Sequence, residues 1–140
     1  MAEKVFSINN QLAEIAVIAD TLESLSEEWN IPMNITLSLN LVLEELVSNT
    51  ILYGYDDTDK HKIEIHLSYI DEIVSIQIED DGREFNPLLV AEVDVDLPIE
   101  ERKIGGLGIH LVRKIMDEIV YVRLDNKNIL RLSKNIRLSE

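Results

Sequence analysis

There is no cysteine in this sequence, so neither a disulfide framework nor a thiolate zinc site is available to it, a pattern that suits a cytosolic protein. Positive charge is also scarce. The 13 lysines and arginines stand against 27 aspartates and glutamates, leaving a net charge of -14. That balance argues against a nucleic-acid duplex or an anionic membrane surface as partner, and for a partner with a basic face. The opening residues, MAEKVFSINN, hold no apolar signal core, and no apolar run is expected to approach the roughly 20 residues of a membrane span. No G-x-x-x-x-G-K-[ST] run occurs, which excludes a P-loop. Gly106-Leu107-Gly108 lacks the third glycine of a dinucleotide fingerprint. His61, His66 and His110 have no metal-ligand spacing with one another and are expected at the surface. Internal repeats, low-complexity tracts and linkers are absent as well. What is present is 140 residues that are 46% hydrophobic, enough for one compact domain over residues 1–140 with a real core. A single-domain cytoplasmic protein is the expectation.

The chain is organised around residues 39–55, LNLVLEELVSNTILYGY, a helix too apolar to lie on a surface. Leu39, Leu41, Val42, Leu43, Leu46, Val47, Ile51 and Leu52 wrap most of its circumference, with Gly54 closing it. Glu45 and Asn49 interrupt the apolar surface four residues apart, so both side chains leave one face. An unpaired charge in such a setting costs several kcal/mol, so these two need partners or a solvated stripe shared with Ser38 and Ser48. Before this helix, residues 4–8 read as a strand, and Asn9 or Asn10 is a candidate cap for an amphipathic helix carrying Leu12, Ile15, Ala19, Leu22, Leu25 and Trp29. Pro32 ends the connection, and Asn34 is a candidate cap for the long apolar helix.

Strand signals take over after a polar turn at residues 56–61. Ile63, Ile65 and Leu67 alternate with polar residues, as do Val74, Ile76 and Ile78. Val120, Val122 and Leu124 repeat the pattern, and a last strand turns Leu130 and Leu132 inward. The fold class that follows is α+β, a two-layer sandwich of a mixed, mostly antiparallel sheet with helices on one face. Counting on from Ile78 in steps of two brings Asp80 to the inward face, whereas an aspartate before Gly82 as plain turn chemistry leaves that parity unexplained. Pro87 then forbids further strand. Residues 88–104 are weakly periodic and acidic, a length typical of a functional lid or of a disordered segment. Arg102 and Lys103 end that stretch, and Gly105-Gly106-Leu107-Gly108 opens a helix carrying Ile109, Val112, Ile115, Met116 and Ile119. A glycine-rich turn at a helix start presents free N–H groups and the positive end of the dipole, an anion site in an otherwise acidic chain.

Glu45-x-x-x-Asn49, Asp80-x-Gly82 with Phe85-Asn86-Pro87, a lid, and Gly105-Gly106-Leu107-Gly108 resemble, in that order, the three boxes of the GHKL ATPases, which include gyrases, heat-shock chaperones and histidine kinases. Each box alone is weakly specific; three in order over about residues 6–133 are much more so. The small size and the form of residues 49–55 are most similar to the bacterial anti-sigma-factor serine/threonine kinases, whose fold is the Bergerat ATP-binding fold. One departure is Glu84, where many relatives carry a second glycine; its side chain narrows the turn and brings negative charge toward the nucleotide.

The resemblance implies a role for each residue. Asp80 accepts the adenine amino group, Gly82 lets the backbone approach the ring, and Asn49 ligates Mg²⁺. The turn at Gly105, Gly106, Leu107 and Gly108 holds the ATP phosphates under the lid, with Arg102 and Lys103 as charge partners. Glu45 is the general base that takes the proton of an acceptor serine. The implied partners are a sigma factor and an anti-sigma-factor antagonist bearing that serine, and homodimerisation is usual in the family. The rival from another class is a nucleotide-sensing binding module that switches partners without kinase activity. A detached histidine-kinase catalytic domain is a further alternative, set against by the lack of room for a phosphoacceptor helix pair.

Overall fold

A computed structural model describes residues 2–89 and 106–139 of the chain. The lid expected at residues 88–104 lies outside them except for Leu88 and Leu89, and so do Arg102, Lys103 and Gly105. The strands are β1 Ala2–Asn9, β2 Lys62–Ile70, β3 Ile73–Asp80, β4 Glu118–Leu124 and β5 Lys127–Asn135. The helices are α1 Ile15–Trp29, α2 Met33–Tyr53 and α3 Gly106–Ile115. The sheet runs β1-β2-β3-β5-β4, and every pairing among the described residues is antiparallel. The expected α+β sandwich is what the chain forms.

Two tight hairpins set the register. Asp71 and Glu72 join β2 to β3 with φ of 53° and 65°, and Asp125 and Asn126 join β4 to β5 with φ of 52° and 62°. Two successive left-handed residues make the turn whose twist matches that of the flanking strands. Ile63, Ile65 and Leu67 on β2, with Val74, Ile76 and Ile78 on β3, are buried beneath the helices, so the period-two pattern is obeyed strictly on both strands. β4 differs from the expected parity. Ile119 and Tyr121 pack against the core while Val120 and Leu124 are about half exposed. The reason is register: Ile119 faces Leu132 and Tyr121 faces Leu130, and directly paired residues share a face.

α2 is the core helix, with Leu39, Leu43 and Val47 at 0% exposure, and it contacts both α1 and α3. Its apolar surface is not wholly enclosed, for Leu41 and Leu52 are each 53% exposed. It also starts earlier than residue 39. At 21 residues it is the one described helix long and apolar enough to cross a membrane, contrary to the expectation that no run approaches that length. Its burial against the sheet and two helices accounts for that composition.

The expected caps are not used. α2 begins after Pro32, which lacks a side-chain cap, and Asn34 lies within the helix. A 3₁₀ turn at Leu12–Glu14 precedes α1, and Glu14 accepts from the Asn9 N–H at 3.1 Å. Asn10 caps nothing; its Oδ1 accepts from the His61 N–H at 3.0 Å and its own N–H donates to the His61 carbonyl at 3.0 Å. α3 ends at Ile115, one turn short of Ile119, which belongs to β4.

Leu43→Ala is expected to cost about 2–5 kcal/mol in urea denaturation, the range for a fully enclosed leucine, while Leu41→Ala on the exposed side stays within roughly 0.5 kcal/mol of wild type. Equal losses at both positions would mean that α2 is enclosed on all sides.

Candidate functional site

A cavity of about 530 Å³ opens between α2, the end of β3, α3 and the β4–β5 hairpin. Leu46, Ile78, Ile109 and Leu130 supply apolar wall, and Asn49, Asp80 and Asn128 supply polar groups. An apolar cleft with a few convergent polar atoms is the usual form of a small-molecule site.

Asp80 is 7% exposed, as the parity of β3 predicts. Its Oδ1 accepts from the Gly82 N–H at 2.9 Å and from Asn128 Nδ2 at 3.0 Å. Oδ2 has no hydrogen-bond partner among the described residues. Burial raises the pKa of this carboxyl, opposed by the bonds from Asn128 and Gly82. The loop after it docks on the end of α2, where the Arg83 N–H donates to the Gly54 carbonyl at 2.8 Å. A side chain at position 82 would meet that carbonyl at 2.5 Å, so glycine is required there by close packing of two backbones. Arg123 Nη1 donates to the Gly82 carbonyl at 2.8 Å and ties the same turn to β4.

Asn49 lines the cavity and meets Glu45 one turn earlier on α2. Asn49 Nδ2 donates to Glu45 Oε1 at 3.3 Å, the pairing their four-residue spacing predicts. Gly106, Leu107 and Gly108 form the first turn of α3, and the Glu45 carboxylate lies directly over Gly108, where any Cβ would overlap it. The structure thus brings Glu45 together with Asn49 and Gly108, and Asp80 with Gly82; of these, Asn49 and Asp80 line the cavity. Glu84 is exposed at the cavity wall. Asn86 has a local task, accepting from the Leu88 N–H at 2.9 Å, and Arg113 of α3 donates to the Leu88 carbonyl at 2.5 Å.

Three residues of the site carry no motif. Asn128 and Tyr121 face the cavity beside Asp80, and Arg123 anchors the turn. Asn128 was within reach of the rule that placed Asp80. Counting back by two from the inward Leu132 and Leu130 arrives at Asn128, opposite Asp80 in the sheet.

His61 is not the free surface histidine expected. Its ring stacks on Tyr55 with centroids 4.3 Å apart and is 17% exposed. Nε2 lies 2.7 Å from Asp57 and Nδ1 lies 3.1 Å from Asp81. The Asp57 bond and then the Asp81 bond raise the His61 pKa, and the His61 bond lowers that of Asp57. The Tyr55 hydroxyl is buried without a hydrogen-bond partner among the described residues, and burial followed by the Asp80 charge pushes its pKa up. His66 pairs with Glu64 at 2.5 Å on the outer sheet face. No cluster of three acidic or histidine side chains suited to a metal ion is found among the described residues.

The Histidine kinase-like ATPase domain family matches residues 8–134. Among curated proteins, the chain is similar to Serine/threonine-protein kinase BtrW of Bordetella bronchiseptica, 26% identical over 114 residues, which cover 80% of this chain and 78% of that protein. It is also similar to Anti-sigma F factor of Bacillus subtilis, 24% identical over 99 residues, which cover 71% of this chain and 68% of that one. A similar solved structure is the histidine kinase domain of the blue-light activated histidine kinase of Erythrobacter litoralis EL346. The TM-score is 0.57 at 15% identity, over 90% of this chain and 61% of that chain, and the likeness is one of fold.

The His61 cluster has a defined pH signature. A histidine whose folded pKa is raised contributes stability that is fully present below its unfolded pKa of about 6.5 and is lost as pH rises through the folded value. A depressed Asp57 contributes above its unfolded pKa of about 3.9 and loses it as pH falls through the folded value. The stability difference between wild type and His61→Phe, a substitution that keeps the stack on Tyr55, is therefore expected to be largest between about pH 4 and 6.5 and to shrink as pH rises above that window. Urea midpoints across that range check it; a difference independent of pH would assign the effect to packing alone.

Proposed function

The chain belongs to the histidine kinase-like ATPase domain family, and on that premise we propose that it is an ATP-dependent serine/threonine protein kinase acting as an anti-sigma factor. It captures a sigma factor and phosphorylates a serine on an anti-sigma-factor antagonist. The observation that carries this reading is the buried Asp80 carboxylate, with one oxygen doubly bonded to the protein and the other left to accept from a ligand. The names of the relatives support the two halves of the activity, kinase and anti-sigma factor. The setting of the reaction is the cytoplasm, and homodimerisation belongs to the same reading.

The residues fit ATP. Asp80 Oδ2 accepts the exocyclic amine of adenine, and the apolar walls from Leu46, Ile78, Ile109 and Leu130 enclose the ring. Gly82 keeps the turn beneath it closed on Gly54. In this reading the N–H groups of Gly106, Leu107 and Gly108, in the first turn of α3, receive the phosphate oxygens, with Gly105 before them in the sequence and Arg102 and Lys103 as charge partners. Asn49 is the protein ligand for Mg²⁺, which when bound offsets the charge of the phosphates. Glu45 acts as general base. It accepts the proton of the antagonist's serine hydroxyl as that oxygen bonds to the γ-phosphorus and the bond from the γ-phosphorus to the bridging oxygen breaks, releasing ADP. The Asn49 amide donates to the Glu45 carboxylate and orients it.

Asp80→Asn keeps the oxygen that receives Gly82 and Asn128 but turns a donor toward adenine, so ATP binding is expected to fall on the order of a hundredfold with an unchanged circular dichroism spectrum. Calorimetry on the two proteins checks it; equal affinities would remove Asp80 from base recognition.

Glu45→Gln keeps the size and polarity of the side chain and cannot take a proton. It is expected to bind ATP and sigma factor as wild type does while phosphoryl transfer to the antagonist falls by about 10²- to 10⁴-fold. A wild-type protein that binds its partner in a nucleotide-dependent way and transfers no phosphate would make the chain a binding module instead.

A further inference from the structure

We propose that Asn128 is a positioning residue for base selection, which fixes Asp80 so that only Oδ2 faces the ligand. The proposal rests on the ATP reading of the cavity and adds to it a residue that none of the sequence motifs contains.

Asn128 is 8% exposed and every polar atom of its side chain is engaged. Nδ2 donates to Asp80 Oδ1 at 3.0 Å and to the Arg83 carbonyl at 2.8 Å. Oδ1 accepts from the Tyr121 hydroxyl at 2.6 Å and from the Phe85 N–H at 3.3 Å. The two acceptor bonds determine the orientation of the amide, because a flipped amide would turn its NH₂ toward the Phe85 N–H and its oxygen toward the Asp80 carboxylate and the Arg83 carbonyl. The amide therefore has one way to sit, and in it a donor meets Asp80. With Gly82 bonded to the same oxygen, Oδ1 is saturated and the carboxylate cannot rotate to share its charge between the two neighbours. The remaining lone pairs belong to Oδ2 and recognise an N–H donor; a ligand edge bearing hydrogen or a carbonyl oxygen leaves a buried charge unsatisfied. Asn128 also bonds the backbone on both sides of Glu84, at Arg83 and Phe85, so one side chain holds both the carboxylate and the turn that follows it.

The charged and titratable groups around this amide are Asp80 on β3, Tyr121 and Arg123 on β4, and Asp81, Arg83 and Glu84 in the turn. Among them Asp80 alone bonds to Nδ2 through a charged group.

The test compares ATP with purine riboside triphosphate, which lacks the exocyclic amine, by calorimetry on the whole chain with Mg²⁺. Wild type is expected to favour ATP by about tenfold to a hundredfold, the range for one hydrogen bond to a charged group. Asn128→Ala is expected to bring that ratio close to one, mainly through lost ATP affinity. Asn128→Asp is the isosteric control for folding. Its carboxyl, when protonated, stands in for the amide donor, so ATP preference is expected to return as pH falls and to vanish as pH rises and two carboxylates face each other, a profile absent from wild type. If Asn128 only supports the fold, both nucleotides lose affinity in parallel at every pH, and the proposal is overturned. A wild type that discriminates beside an Asn128→Ala that discriminates equally overturns this proposal alone. A wild type that binds both nucleotides equally overturns the adenine assignment of Asp80 and this proposal with it.

Discussion

A carboxylate in a nearly dry wall is the constraint around which the cavity end of this molecule is built. Asp80 is held there by donors from two directions, the backbone of its own turn and the amide of Asn128 across the sheet. Each support depends on another element. The turn is closed by the Gly54 carbonyl at the end of α2 and by Arg123 of β4, and Asn128 is oriented by Tyr121 and by the backbone at Phe85. A lone buried charge would cost several kcal/mol, and this arrangement lowers that cost through one oxygen, while the other has no hydrogen-bond partner among the described residues.

α2 links the Asp80 turn with the Glu45–Asn49 pair. Its buried side carries Leu39, Leu43 and Val47, Gly54 just past its end receives the Asp80 turn, and its middle presents Glu45 to α3 with Asn49 beside it. Gly108 lets α3 approach until its first turn rests on the Glu45 carboxylate. One rigid element thus fixes the distance between the Asp80 turn and the Glu45–Asn49 pair, the arrangement that holds distant side chains of one site in register without further rearrangement.

The parts of this structure that could be read from sequence are those governed by strict periodicity. The two-residue repeat placed Ile63 to Ile78 and carried Asp80 inward with them, and the four-residue spacing paired Glu45 with Asn49. β4 failed because its two faces are almost equally apolar: Val120, Val122 and Leu124 compete with Ile119 and Tyr121, and only pairing with β5 decides between them. The helix caps failed because Asn10 had a better use, holding the backbone of His61 from fifty-one positions away. That contact, like the Asp57–His61–Asp81 cluster, joins residues through tertiary proximity that no local pattern encodes. Asn128 was legible in principle, by the same parity that revealed Asp80, but it follows a hairpin turn where asparagine has an ordinary local reason to occur.

The seam between β3 and β5 has a consequence for how the chain tolerates change in length. It closes a loop that contains α3 and β4, and it is zipped along its whole run from Ile73 with Asn135 to Asp80 with Asn128. Loop-closure entropy grows only logarithmically, so doubling such a loop costs only about 0.6 kcal/mol. Added length in the connection that leads from the Asp80 turn to α3 accordingly costs little, while the two anchoring hairpins keep their register.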